Sequence, residues 1–200
     1  MADSRDNQAL RVIRRLGIVR PTQLEAHGVP RNRLYRLVQK GLVERRARGI
    51  YTACEHPVTA EHTLATVAKQ VPGGVFCLLT ALRFHELTTQ APAEVWIAVP
   101  EKARKPRLDQ PRLRVTRFSG PALTEGIETH RVEGVDVPLF SAAKTVADCF
   151  KYRNKVGIDV AVEALRDFSR RHRGGATELA RYARICRVSR VMQPYLDAIA

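Results

Sequence analysis

Pro21-Thr22-Gln23-Leu24-Glu25-Ala26-His27-Gly28-Val29-Pro30-Arg31-Asn32-Arg33-Leu34-Tyr35-Arg36-Leu37-Val38-Gln39-Lys40 is the stretch that decides the fold. Pro21 suits the first turn of a helix, because its missing N–H has no partner there anyway. Gly28 ends that helix, and Gly28-Val29-Pro30 is a turn of the length that a helix-turn-helix needs. The next helix runs from Arg31 to Lys40. Leu34, Leu37 and Val38 stand at i, i+3 and i+4 and form its buried stripe. Arg33, Arg36 and Lys40 stand at i, i+3 and i+7 and are expected to face away from the core. Arg31, Asn32 and Tyr35 flank them at the amino-terminal end, the end that meets base edges when such a helix enters a major groove.

The same logic extends outward. Upstream, Asp6 is expected to cap a helix that carries Leu10, Ile13 and Leu16 on one face and stops at Gly17. Ile18-Val19 is a short extended step. Downstream, Gly41 stops the second helix of the pair and Leu42-Val43 opens a strand. Arg45, Arg46 and Arg48 crowd a turn, and Gly49-Ile50-Tyr51 returns. The order predicts a winged helix-turn-helix over residues 1–56, with a cationic wing. Arginine bonds guanine through O6 and N7, and asparagine bonds adenine through N6 and N7. Asn32, Arg33 and Arg36 are therefore the expected base contacts. Arg31, Tyr35 and Lys40 are expected on phosphates. Arg45, Arg46 and Arg48 are expected on phosphates or in the minor groove.

Charge points the same way. The 200 residues hold 34 basic and 20 acidic side chains, a net charge of +14. Such an excess is the footprint of a nucleic-acid partner, or less often of an anionic membrane. Residues 1–56 carry 12 basic and 5 acidic side chains and are the more basic part per residue. The hydrophobic fraction of 44% is that of an ordinary globular chain and argues against wholesale disorder. The opening Met-Ala-Asp-Ser-Arg-Asp lacks an apolar run, and no apolar stretch is long enough to span a bilayer. A cytoplasmic protein with reduced thiols is expected. Cys54, Cys77, Cys149 and Cys186 form no C-x-x-C pair, so a zinc ribbon is not expected. Cys77, Cys149 and Cys186 sit among apolar residues and read as small buried hydrophobes.

His56-Pro57-Val58 reads as a joint, and residues 57–200 as an α/β domain with a small mixed sheet and terminal helices. A helix from Thr59 or Ala60 to Val71 precedes Pro72-Gly73-Gly74. Val75–Cys77 is a short strand and Leu79–His85 a helix. The apolar run Val95-Trp96-Ile97-Ala98-Val99 belongs in a sheet's centre. Leu113–Phe118 alternates as a half-exposed strand does. Ile127–Val132 and Val135–Leu139 flank Glu133-Gly134 as a hairpin. Ser141 caps a helix from Ala142 to Lys151. Two helical stretches follow, near Ile158–Arg173 and Thr177–Ala200. The whole chain is thus of α+β class. Residues 101–117 hold seven basic and two acidic side chains. Lys102, Arg104, Lys105, Arg107, Arg112, Arg114 and Arg117 form a candidate secondary basic surface, for nucleic acid or an acidic partner, beside the plainer reading of a solvated loop.

Catalysis has little support. A restriction-type nuclease needs carboxylates and a lysine on adjacent strands to hold Mg²⁺. Glu94 precedes the best strand and Glu101-Lys102 follows it, but no Asp stands usefully on a neighbouring strand. No glycine-rich phosphate loop occurs. Ser141 and Lys144, at i and i+3, are better read as a helix cap and its neighbour than as nucleophile and base. No catalytic residue, cofactor or metal is expected. A DNA-processing nuclease and a partner-binding module remain the alternative classes.

The chain resembles the AbiEi family of type IV toxin–antitoxin antitoxins over roughly residues 7 to 170. The residues that carry the resemblance are Pro21-Thr22-Gln23-Leu24 through Gly28-Val29, Leu34-Tyr35-Arg36-Leu37-Val38, Gly41-Leu42-Val43 and Gly49-Ile50-Tyr51. Ala81-Leu82-Arg83-Phe84-His85-Glu86-Leu87-Thr88 and Ser141-Ala142-Ala143-Lys144-Thr145-Val146-Ala147-Asp148 extend it. The resemblance implies a winged helix-turn-helix followed by an α/β antitoxin domain, and it adds Thr22 and Gln23 to the candidate DNA-binding set. It also implies repression of the protein's own operon through inverted repeats. The implied functional partner is a nucleotidyltransferase-like toxin, counteracted without a stable complex. A stand-alone regulator with no toxin would look the same.

Overall fold

The computed structural model describes residues 4–54 and 61–199. The expected joint at His56-Pro57-Val58, and the helix start at Thr59 or Ala60, lie outside the described residues. The chain forms two compact units. One lies within Met1–Pro72 and includes His130–Val137; the other comprises Gly73–Thr129 and Pro138–Ala200.

The first unit begins with α1 (Ser4–Leu16), α2 (Pro21–Ala26) and α3 (Arg31–Gln39), followed by strands β1 (Val43–Ala47) and β2 (Ile50–Ala53). Ala9, Leu10 and Ile13 of α1, Leu24 of α2, and Leu34 and Leu37 of α3 are buried together with Val19, Val29, Val43, Tyr51 and Ala53. Each helix is too short to be stable alone, so this shared apolar core is what holds it helical. β1 and β2 pair antiparallel, with an irregularity between Arg45 and Ala47. Val19, in the extended step, adds a third strand position: it exchanges backbone hydrogen bonds of 2.8 and 2.9 Å with Tyr51. Gly17, Gly28, Gly41 and Gly49 all take positive φ at the expected stops and turn. Helix α4 (His62–Gln70) belongs to the same unit and is tied to it at both ends. Lys69 Nζ donates to Gln23 Oε1 at 2.8 Å, and His62 Nδ1 lies 2.7 Å from Glu133 Oε2.

The second unit holds β3 (Val75–Phe76), α5 (Leu78–Phe84), β4 (Val95–Pro100), β5 (Leu113–Phe118), α6 (Pro121–Thr124) and the outer ends of β6 (Ile127–Val132) and β7 (Val135–Phe140), whose residues His130–Val137 are counted in the first unit. Helices α7 (Ala142–Lys151), α8 (Arg153–Val156), α9 (Ile158–Arg171), α10 (Ala176–Ile185) and α11 (Ser189–Asp197) complete it. The sheet order is β5-β4-β3-β7-β6. β3 runs antiparallel to β4 and parallel to β7, and β4 runs parallel to β5, so the sheet is mixed as expected. β4 is flanked on both sides, but the centre of the order is the two-residue β3. β5 is an edge, which fits its alternating exposure. Glu133 and Gly134 both have positive φ, the mark of a type I′ turn between β6 and β7.

Helix α7 explains the core of this unit. Its residues Ala143 to Phe150 are all buried, and it packs against α5, α9 and α10. Ser141 caps it, accepting from the Lys144 backbone N–H at 3.3 Å. The expected single helical stretch Thr177–Ala200 is instead two helices. Arg187 takes a left-handed φ of 58°, and the Val188 N–H turns back to the Ala183 carbonyl at 2.8 Å. That hydrogen bond closes α10 as a helix-end motif does without glycine.

Candidate nucleic-acid interface

The α3 helix presents a different face from the one its cation spacing suggests. Asn32, Tyr35 and Gln39 form its exposed row, with Arg31 beside it. They stand at i, i+3 and i+7, opposite buried Leu34 and Leu37. Gln39 is a base-reading candidate that charge-based reasoning missed; the signal was its spacing from Asn32. Tyr35 is about half exposed and rests edge-on against the Tyr51 ring, with centroids 6.4 Å apart. Arg31 makes a two-point contact with Glu25, at 2.9 and 3.4 Å.

Arg33, Arg36 and Lys40 do not simply face away from the core. They lie on the flank of α3 that meets α1, and all three donate to the carboxylate of Asp6. Arg33 Nη1 is 2.8 Å from Oδ1, Arg36 Nη2 shares that oxygen, and Lys40 Nζ is 2.7 Å from Oδ2. Asp6 is buried, while Arg33 is 18% exposed and Arg36 and Lys40 are 42% and 44% exposed. Asp6 is thus an internal counter-ion in the first turn of α1 rather than the cap before it. The hydrogen bonds from Arg36, Lys40 and Arg33 hold its carboxyl well below the usual carboxylate range, although burial opposes them.

The hairpin β1–β2 carries the other cations. Arg45, Arg46 and Arg48 are all exposed. Arg46 pairs with Glu44 at 3.2 Å, and Arg45 Nε donates to the Ala47 carbonyl at 3.4 Å. Arg48 stands at the tip. Thr22 is exposed on α2. Gln23 is half-buried, and its Oε1 accepts the Arg20 backbone N–H at 3.2 Å, closing the start of α2, and the Lys69 ammonium at 2.8 Å. Burial, aided by Arg131 and Arg20 nearby, pushes the Lys69 ammonium down from its ordinary pKa.

In the second unit the secondary basic surface divides. Lys102, Arg104, Lys105, Arg107 and Arg112 are exposed. Arg117 instead donates to the carbonyls of Pro100 (3.2 Å), Ala103 (2.9 Å) and Glu101, so it ties down its own loop. Arg114 stacks over the Trp96 ring at 4.4 Å and lies 3.6 Å from Glu94. Glu94, beside β4, and Asp148, on α7, are each engaged by a cation. Glu94 is on Arg114, and Asp148 is buried on Lys144 at 2.5 Å. Asp148 also accepts from the Cys186 thiol at 3.2 Å, and Lys144 lies 4.1 Å from the centre of the Phe140 ring. Burial pushes Asp148 up to about 6 and the Cys186 thiol up to about 12. Among the described residues no group of three or more His, Cys, Asp and Glu side chains is placed to hold a metal ion. None of the described helices is long and apolar enough to cross a membrane.

Residues 7–53 match a family model described as "Transcriptional regulator, AbiEi antitoxin". The match runs from within α1, one residue after Asp6, to the end of β2, and so takes in the exposed α3 row and the arginine hairpin. No curated protein matches the chain.

Proposed function

We propose that this protein is a DNA-binding transcriptional repressor and the antitoxin of a type IV toxin–antitoxin system. Residues 4–54 dock as a winged helix-turn-helix, with α3 in the major groove and the β1–β2 hairpin along the backbone. The observation that carries the reading is the position of the Asn32–Tyr35–Gln39 row. It lies on α3 of the unit that also holds the arginine hairpin, within the segment that matches the regulator family. Asn32 and Gln39 can each make a bidentate contact with adenine. Arg36, Lys40, Arg45, Arg46 and Arg48 are exposed enough to meet phosphates. The protein represses its own operon through inverted repeats and counteracts a nucleotidyltransferase-like toxin without forming a stable complex. No catalytic step is assigned to it.

Fluorescence anisotropy of the full chain on its own upstream DNA and on scrambled DNA tests the DNA reading. At about 150 mM salt, at least a hundredfold preference is expected, about 3 kcal/mol. About six phosphate contacts give a log–log salt slope near −5. Equal, weak binding to both DNAs overturns the reading. Co-expression with the product of the neighbouring gene tests the antitoxin role, which requires the chain to restore growth.

A further inference from the structure

We propose that Asp6 sets the sequence discrimination of this DNA-binding unit, by holding Arg33, Arg36 and Lys40 on the flank of α3. The inference rests on the DNA-binding reading above and adds a positioning residue that does not itself touch DNA. Three cations, two on α3 and one at its carboxy-terminal cap, converge on a single buried carboxylate of α1. Asp6 also pins the α3 flank to α1, so the two helices carry the cations as one rigid piece.

Three consequences follow from side-chain ordering and elementary electrostatics. Free arginine and lysine side chains adapt to any phosphate track, and such contacts supply nearly all non-specific affinity. Side chains already ordered by Asp6 present a fixed pattern and suit only a backbone in one register with α3. Ordering them beforehand also removes part of the cost of immobilising them on the correct site. The carboxylate itself repels phosphates that approach out of register, a penalty against wrong partners. Asp6 therefore weakens binding to arbitrary DNA more than binding to the operator.

The experiment compares wild type, Asp6→Asn, Asp6→Glu and Asp6→Asn/Lys40→Gln on operator and scrambled DNA across a salt series. Circular dichroism and thermal melting establish that each variant is folded. Asp6→Asn is expected to tighten scrambled-DNA binding several-fold and steepen its salt slope by about 1. The operator-to-scrambled ratio is expected to fall at least tenfold. Asp6→Glu, which keeps the charge, retains the ratio to within about threefold. Asp6→Asn/Lys40→Gln restores the net charge; its ratio stays low if positioning matters. A double variant with the wild-type ratio overturns the proposal, as does a folded Asp6→Asn with an unchanged one. If wild type itself shows no preference, the DNA reading has failed instead. If Asp6→Asn does not fold, NMR relaxation of the wild-type Arg33 and Arg36 Nε–Hε groups decides. Order parameters near the rigid-backbone value of about 0.85 support the proposal, and values below about 0.6 overturn it.

Discussion

Lys40 Nζ lies 2.7 Å from Asp6 Oδ2, thirty-four residues away in the chain. With Arg33 and Arg36 on the other oxygen, this contact turns a row of cations that looks free in the sequence into part of a helix–helix junction.

The junction makes stability depend on pH in a defined direction. Asp6 has a folded-state pKa well below its unfolded value. Its contribution is therefore fully present above the unfolded pKa, about 4, and is lost as pH falls further. Asp6→Asn is expected to melt several degrees below wild type at pH 7. The gap should narrow steadily below about pH 4 in scanning calorimetry. A gap independent of pH would contradict the ionic role.

The exposed row of α3 and the hairpin should separate in binding experiments. Asn32→Ala and Gln39→Ala are each expected to cost about 1–3 kcal/mol on the operator and to relax one base preference. Arg48→Ala should weaken binding to all sequences alike and reduce the salt slope by about 1. The reverse assignment of effects would sink the docking geometry.

The ion pair inside α7 should behave as a unit. Lys144 and Asp148 are 0% and 1% exposed. Lys144→Met strands a buried carboxylate and is expected to cost about 3–5 kcal/mol in urea unfolding. Lys144→Met/Asp148→Leu should be close to wild type or more stable. Burial raises Asp148 to about 6, so the folded state holds its proton more tightly than the unfolded state between about pH 4 and 6. That group makes the protein less stable as pH rises through this window, the opposite sign to Asp6. The double variant should lack this component.

Gly134 is a backbone position with no room for a side chain. Its φ is +75°, and a Cβ there would lie 2.7 Å from the Leu16 carbonyl oxygen. Gly134→Ala is expected to destabilise by about 1–3 kcal/mol, from left-handed strain and displacement of the end of α1. A melting temperature equal to wild type would show that the turn relaxes freely.

Much of the architecture was legible because local rules govern it. Leu34 and Leu37 announced the buried side of α3, and Gly28, Gly41 and Gly49 marked real chain reversals. Glu133-Gly134 gave the hairpin because a type I′ turn requires positive φ at both positions. The break at Arg187 was hidden, since nothing in that residue type announces a left-handed conformation. β3 was legible as a strand, but its two residues gave no sign that it lies at the sheet's centre. The Asn32–Tyr35–Gln39 row was legible in spacing, whereas the contact of Arg33, Arg36 and Lys40 with Asp6 was not, because it joins two helices.

The sequence by itself determined the α+β class, the order of helices and hairpin in the first unit, and the cationic character of the whole. These follow from periodicity, turn chemistry and composition, all of which act over a few residues or need no geometry. Only the tertiary structure decided which cations face outward. Arg33, Arg36 and Lys40 are bound to a carboxylate twenty-seven to thirty-four positions away, and Arg117 to carbonyls of its own loop. Such contacts depend on how packed elements meet, and charge spacing along one helix carries no record of the neighbour it will face.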